Sequence, residues 1–168
     1  MGNLSKGLML RPFDEKDIET VKRWLYTPHV AKWFHYPEEW IESLEDRDGE
    51  FSFITPLIAE YEGVSFGFCR YYDCYLAGDY PHWNEELPHP DRPNEIYSMD
   101  CLIGEADYLY RGFGKQITAL MLGRLRSLGA KSVVIEPEKE NLASCRTLEA
   151  NGFKPDGKSY VLELNAKK

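Results

Sequence analysis

The sequence predicts an α/β protein built on one mixed sheet flanked by helices. Three observations carry that expectation. Two β-rich runs in the first half are separated by Glu62-Gly63, a hairpin signal. The second half alternates strand and helix patterns, as β-α-β units do. The length of 168 residues suits a single domain with one core, spanning residues 1–168.

Each element has its own signal. Residues 7–13 (GLMLRPF) read as a first strand with Leu8 and Leu10 on one face. Asp14 can cap a helix, with Asp17 three residues on, and Ile18, Val21, Trp24 and Leu25 then recur at helical spacing until Pro28 interrupts. A short helix is expected over 37–46, with Trp40, Ile41 and Leu44 on one face. Residues 51–61 and 65–75, rich in aromatic and β-branched side chains, form the two hairpin strands. Residues 77–93 hold four prolines and several charges and read as a long irregular loop, a kind of segment that often carries function. Strand pattern resumes over 95–103. A helix over 112–128 presents Ile117, Leu120, Met121, Leu125 and Leu128, with Gly129 closing it. A short strand at 131–135, a helix at 141–150 ending on Asn151-Gly152, and a last strand at 159–164 complete the order.

Composition excludes several classes. Lys and Arg number 20 against 28 Asp and Glu, for a net charge of −8. A nucleic-acid binder would need a basic face to neutralise phosphates, and none stands out. No apolar run approaches the roughly 20 residues that span a bilayer. The first ten residues lack the apolar core of a secretory signal, which points to the cytoplasm. The four cysteines form no C-x-x-C pair and have no histidine at zinc spacing, so they read as buried packing thiols and no metal is expected. The histidines have no evident triad partner and no G-x-S-x-G elbow exists, which disfavours a hydrolase.

The most informative segment is Asp107-Tyr-Leu-Tyr-Arg-Gly-Phe-Gly-Lys-Gln116, between a strand and a long amphipathic helix. Gly112 and Gly114 let backbone amides approach a ligand without Cβ interference. Those amides lie at a helix N-terminus, where the dipole favours an anion, and Arg111 and Lys115 add positive charge. The segment is not a P-loop, because Gln116 stands where Ser or Thr would follow the lysine, and it lacks the third glycine of a dinucleotide fingerprint. Further on, Asn141-Leu-Ala-Ser-Cys-Arg-Thr-Leu-Glu-Ala-Asn-Gly-Phe153 forms a helix opened by asparagine and closed by N-G-F.

Together the two segments resemble the acetyl-CoA segments of the GNAT (GCN5-related N-acetyltransferase) superfamily. The resemblance implies a single-domain α/β GNAT fold, a mixed, mostly antiparallel sheet splayed at its centre and flanked by helices. It also implies acetyl-CoA as co-substrate, held by Leu102, Ile103, Asn141 and the amides of Arg111, Gly112, Phe113, Gly114 and Lys115. Residues 10–17 (LRPFDEKD) and 23–33 (RWLYTPHVAKW) further resemble the aminoglycoside 6′-N-acetyltransferase branch, as do Gly78-Asp79, Trp83, Glu85-Glu86, Asp100 and Ile135-Glu136-Pro137. Two positions depart from the pattern. Leu109 replaces the usual first Arg or Gln of the loop, and Leu148 stands where many members place a tyrosine that protonates the leaving thiolate.

Amine acetylation needs a base, or acidic groups that hold an ammonium and pass its proton to water. Asp100 and Glu136 lie near C-terminal strand ends, where ligands gather in open α/β sheets, and are the candidate catalytic residues. A carboxylate among Met99, Cys101 and Leu102 is costly unless it is paired or functional. Asp79, Glu85, Trp33 and Trp83 are the candidate acceptor-binding residues, whereas the helical spacing of Trp24 assigns it to the core. The expected partner is a small-molecule amine, with an aminoglycoside leading. A protein N-terminus, a siderophore hydroxylysine and a non-catalytic acyl-CoA-binding role are the alternatives. The expected state is monomer or homodimer.

Overall fold

The computed structural model describes residues 7–78 and 87–164. Its strands form one seven-stranded sheet. In chain order they are β1 (Leu8–Pro12), β2 (Ile54–Tyr61), β3 (Val64–Asp73), β4 (Ile96–Ile103), β5 (Ser132–Ile135), β6 (Lys154–Asp156) and β7 (Ser159–Glu163). They are arranged β1-β2-β3-β4-β5-β7-β6, with β4 and β5 parallel and β1-β2, β5-β7 and β6-β7 antiparallel. The helices are α1 (Ile18–Leu25), α2 (Pro28–Ala31), α3 (Pro37–Glu45), α4 (Cys74–Ala77), α5 (Phe113–Ser127) and α6 (Leu142–Ala150). The chain divides into two compact units, Met1–Arg70 with Cys101–Ile117, and Tyr71–Asp100 with Thr118–Lys168.

In the first unit, β1 alternates as expected: Leu8 and Leu10 are buried and Met9 is exposed. The hairpin turn has positive φ at both Glu62 and Gly63, as a type I′ turn requires. Asp14 leads into a single 3-10 turn (Glu15–Asp17) rather than straight into an α-helix. The reason is Asp17, whose carboxylate accepts from the Asp14 amide at 2.9 Å and from Arg11 Nη1 and Nη2 at 2.8 Å each. Pro28 does end α1, but it also starts α2, because a fixed φ suits the first helical position. Trp24, fully buried, packs with Val21, Leu25, Val30, Leu44, Ile58, Phe68 and Leu102.

In the second unit, the part of α5 from Thr118 on buries Thr118, Met121, Leu122 and Leu125. Leu128, expected on that face, is 46% exposed because the helix has ended and Gly129 has turned to φ +85°. Ala130 N–H donates to Leu125 O at 3.1 Å in the closing turn. Strand β6 carries no apolar alternation and includes Pro155, so sequence pattern misses it; proline is tolerated because β6 is an edge strand. Buried Asp73 accepts from Tyr75 N at 2.9 Å and from Asn94 N at 2.7 Å, and Tyr97 Oη donates to Asn94 Oδ1 at 2.8 Å. Cys69 and Cys74 are buried, but Cys101 and Cys145 are half-buried, so only two of the four match the expected packing role. Burial, with nearby Asp73, pushes the Cys74 thiol up to about 12.

Candidate active site

Two features of the fold bring chemistry-bearing residues together, one in each unit. The first is the loop before α5. A 3-10 turn (Ala106–Tyr108) follows β4, and the backbone then alternates, with Tyr110 at φ +61° and Gly112 at φ +85°. A left-handed tyrosine is strained, and such strain clusters at ligand sites. Alternating backbone of this kind turns successive amides toward one side and makes a concavity suited to an anion. The first helical bond runs from Gln116 N to Gly112 O at 3.3 Å, so Phe113, Gly114 and Lys115 form the first turn, at the positive end of the dipole.

Arg111 is folded over this loop. Its Nη1 donates to Asp107 O at 3.2 Å, and its guanidinium carbon lies 5.3 Å from the ring centres of both Tyr108 and Phe113. The Phe113 ring is fully buried against Tyr61, Phe66 and Tyr108. That side chain anchors the helix start, which leaves the backbone as its route to a ligand. Tyr110 is 98% exposed and was not singled out by sequence reasoning. No local signal marks it, since a positive φ at tyrosine follows from the loop rather than from residue preference.

The second feature is a fork in the sheet. The parallel β4-β5 ladder has two pairs, Ile96↔Ser132 and Tyr97↔Val133, and then stops. Strand β4 continues to Ile103 and β5 to Ile135. Asp100 stands three residues beyond the last pair on one arm, and Glu136 three residues beyond it on the other. The two candidate carboxylates thus stand level on the two arms of the fork. Asp100 is half-buried, and the Glu136 carboxylate lies 3.7 Å from Lys158 Nζ.

The other candidates sit as follows. Leu102 is buried and Ile103 half-buried on β4, beside Asp100 in the chain. Asn141 caps α6, its Oδ1 accepting from Ser144 N at 3.2 Å, so that oxygen already has a structural task. Leu148 is buried, consistent with an apolar residue in the late helix. Trp33 follows α2 with Lys32 Nζ 5.0 Å from its ring centre. Asp79, Trp83, Glu85 and Glu86 lie outside the described residues. Arg70 carries no signal in the sequence, because an arginine in a strand looks like a solvent-facing residue, yet its side chain is buried with the guanidinium 3.3 Å from the Trp40 ring centre. Among the described residues no helix is long and apolar enough to cross a membrane.

Residues 14–160 match the family model described as an acetyltransferase (GNAT) domain, and the chain belongs to that family of N-acetyltransferases. Its fold is shared with solved structures of low sequence identity. One is an aminoglycoside acetyltransferase, AAC(6′)-Ib, in complex with coenzyme A and kanamycin; it has a TM-score of 0.76 and 22% identity over 93% of this chain and 94% of that one. Another is the aminoglycoside N(6′)-acetyltransferase of Legionella pneumophila, with a TM-score of 0.75 and 19% identity over 94% and 92% of the two chains. A third is yncA of Salmonella typhimurium, a putative acetyltransferase with acetyl-CoA, with a TM-score of 0.67 and 17% identity over 96% of both chains.

Proposed function

We propose that the protein acetylates a primary amine of a small polycation, an aminosugar of the kanamycin type, using acetyl-CoA. The observation that supports this most is the fork, which sets Asp100 and Glu136 level on two diverging strands. Leu102 and Ile103 come two and three residues after Asp100 in the chain, so a donor lying along them is within a few residues of that carboxylate.

Acetyl-CoA brings an activated thioester carbonyl and a leaving thiol of cysteine-like acidity, near pKa ~8.5. The amides of Arg111, Gly112, Phe113, Gly114 and Lys115 hold its pyrophosphate, with the charges of Arg111 and Lys115 alongside. The β4 backbone at Leu102 and Ile103 orients its arm, and Asn141 is assigned to the donor by the resemblance alone. Asp100 receives the acceptor as an ammonium, fixes its direction and passes its proton to water, freeing the nitrogen lone pair. Glu136, held by Lys158, adds negative potential that keeps the cation there. A thiolate of this acidity leaves without a dedicated acid, so Leu148 does not block the reaction. The thioester carbonyl is already activated, and the chemistry calls for no metal. Asp79, Glu85, Trp83 and Trp33 are assigned to the acceptor, the acids to its ammonium groups and the rings to its sugar faces. The known aminoglycoside acceptors of the related folds agree with this choice of substrate class.

The donor half is tested by linkage. Acetyl-CoA at about a hundred times its Kd should raise Tm by roughly 5–10 °C. In Gly114→Asp, a carboxylate occupies the anion site and the shift should vanish while the far-ultraviolet spectrum is kept. A full shift in that variant removes the pyrophosphate assignment.

A further inference from the structure

The end of β4 is gripped from outside its own sheet. Glu105 Oε2 accepts from Trp24 Nε1 at 2.8 Å and from Arg23 Nη2 at 2.7 Å. Two residues earlier in the chain, His29 Nε2 lies 2.9 Å from Ile103 O. A carbonyl can only accept, so the proton is on Nε2 and His29 is the donor. Gly104 lies between these contacts, and a Cβ there would fall inside the Trp24 indole. Thr27 Oγ1 donates to Arg23 O at 2.9 Å and braces the segment between the two donors. Three consecutive residues, Ile103 to Glu105, are therefore held by α1 and α2.

The directions of the peptide groups give this grip a use. An added Cβ at Gly67 of β3 would meet Leu102 O at 2.7 Å, so that carbonyl points toward β3. A trans peptide sets C=O and N–H in opposite directions, so Ile103 N–H points to the other edge of β4. The Gly104 amide donates to Phe66 O at 2.8 Å, which turns Ile103 O to that same outer edge. There His29 takes the carbonyl. The peptide joining Ile103 to Gly104 is thus tied at both ends, and the neighbouring Ile103 N–H is presented in a fixed direction on the edge where β4 has left its parallel partner. Packing of a buried Trp24 would dock α1 without any of these polar contacts. The Glu105 carboxyl is held below its ordinary range by the Arg23 and Trp24 hydrogen bonds, which outweigh its partial burial and keep it charged.

We propose that His29 and Glu105 are positioning residues for the acyl donor, fixing the backbone edge at Ile103 against which the amide-bearing arm of acetyl-CoA aligns. This rests on the reading that the donor lies along Leu102 and Ile103. Neither side chain meets the reacting atoms, so both act on donor affinity rather than on the chemical step.

Steady-state kinetics with acetyl-CoA and a kanamycin-type amine test it. In His29→Ala, KM for acetyl-CoA should rise about tenfold, the equivalent of one lost hydrogen bond of about 1.4 kcal/mol. The kcat at saturation and KM for the amine should stay within about twofold. His29→Gln, which can still donate to the carbonyl, should recover most of the affinity. Glu105→Gln keeps an acceptor for Trp24 but loses the charge facing Arg23; it should show the same split and serves if the alanine variant does not fold. An unchanged KM for acetyl-CoA with a lowered Tm would make the grip mere packing and overturn the proposal. So would a fall in kcat with both KM values unchanged. Wild-type protein that neither binds nor turns over acetyl-CoA overturns the functional reading as well, and that is seen before any variant is made.

Discussion

A carboxylate serves amine chemistry when it is ionised, fixed and close to the nitrogen, and a strand that has lost its neighbour offers such a place. Asp100 stands on such a strand, which runs on to Ile103 after the ladder with β5 has ended at Tyr97, and is the carboxylate proposed for that part. Asp100→Asn keeps the size and most hydrogen bonding but removes the charge. It should lower kcat/KM by about 10²–10⁴-fold, the usual worth of general-base assistance, with Tm and acetyl-CoA binding nearly unchanged. A variant that turns over normally but melts earlier would reduce Asp100 to a structural hydrogen-bond acceptor. Asp100 was legible in the sequence as a candidate, its catalytic part being what this variant tests, because a lone acid among Met99, Cys101 and Leu102 is expensive without a task. Tyr110 and Glu105 were not. The positive φ of one follows from its loop and not from a residue preference, and the partners of the other lie far away in the chain, so no local pattern encodes them.

At the scale of elements, the join between β1 and α1 depends on charge. Arg11 donates to Asp17 at 2.8 Å and to Glu60 at 2.6 Å, with side chains 19%, 8% and 18% exposed. Burial alone would raise the Asp17 carboxyl, but the hydrogen bonds from Arg11 and the Asp14 amide outweigh it and hold the group below its usual range. Folded Asp17 therefore takes up a proton less readily than the unfolded chain. Its contribution is complete above the unfolded value near pH ~3.9 and is lost as pH falls through the depressed folded value. Asp17→Asn should cost about 2 kcal/mol at neutral pH, a fall of roughly 4–8 °C in Tm. The two melting curves should converge as pH falls below the depressed folded value. Thermal melts across pH 2–8 check this, and a constant gap would mean the loss is packing. The sequence pattern located this join through Asp14 and Asp17, yet it read an α-helix where the Asp17 contacts tighten the first turn into a 3-10 turn. It also found α5 but extended its buried face to Leu128, beyond where the helix closes.

For the molecule as a whole, the succession of the longer strands and helices along the chain was readable from alternating patterns and turn residues, whereas β6 and the short helices α2 and α4 were not, and the two segments at 107–116 and 141–153 pointed to the family. The level placement of Asp100 and Glu136 was not readable, because it depends on where a ladder pairing residues 36 apart in sequence stops. Net charge gives a further test. With −8 overall and acids assigned to the acceptor, KM for a polycationic aminosugar should rise several-fold between about 0.05 and 0.5 M salt through screening, while that for a monoamine should barely change. An equal response of both would deny the acids a part in recognition. The most direct test of the central claim is thiol release from acetyl-CoA, followed continuously with a panel holding a kanamycin-type aminosugar, a peptide with a free N-terminus and an N-hydroxylysine. The account predicts turnover that depends on the aminosugar, with mass spectrometry finding one added acetyl group on the drug. Release with the peptide or the hydroxylysine and none with the aminosugar would contradict it.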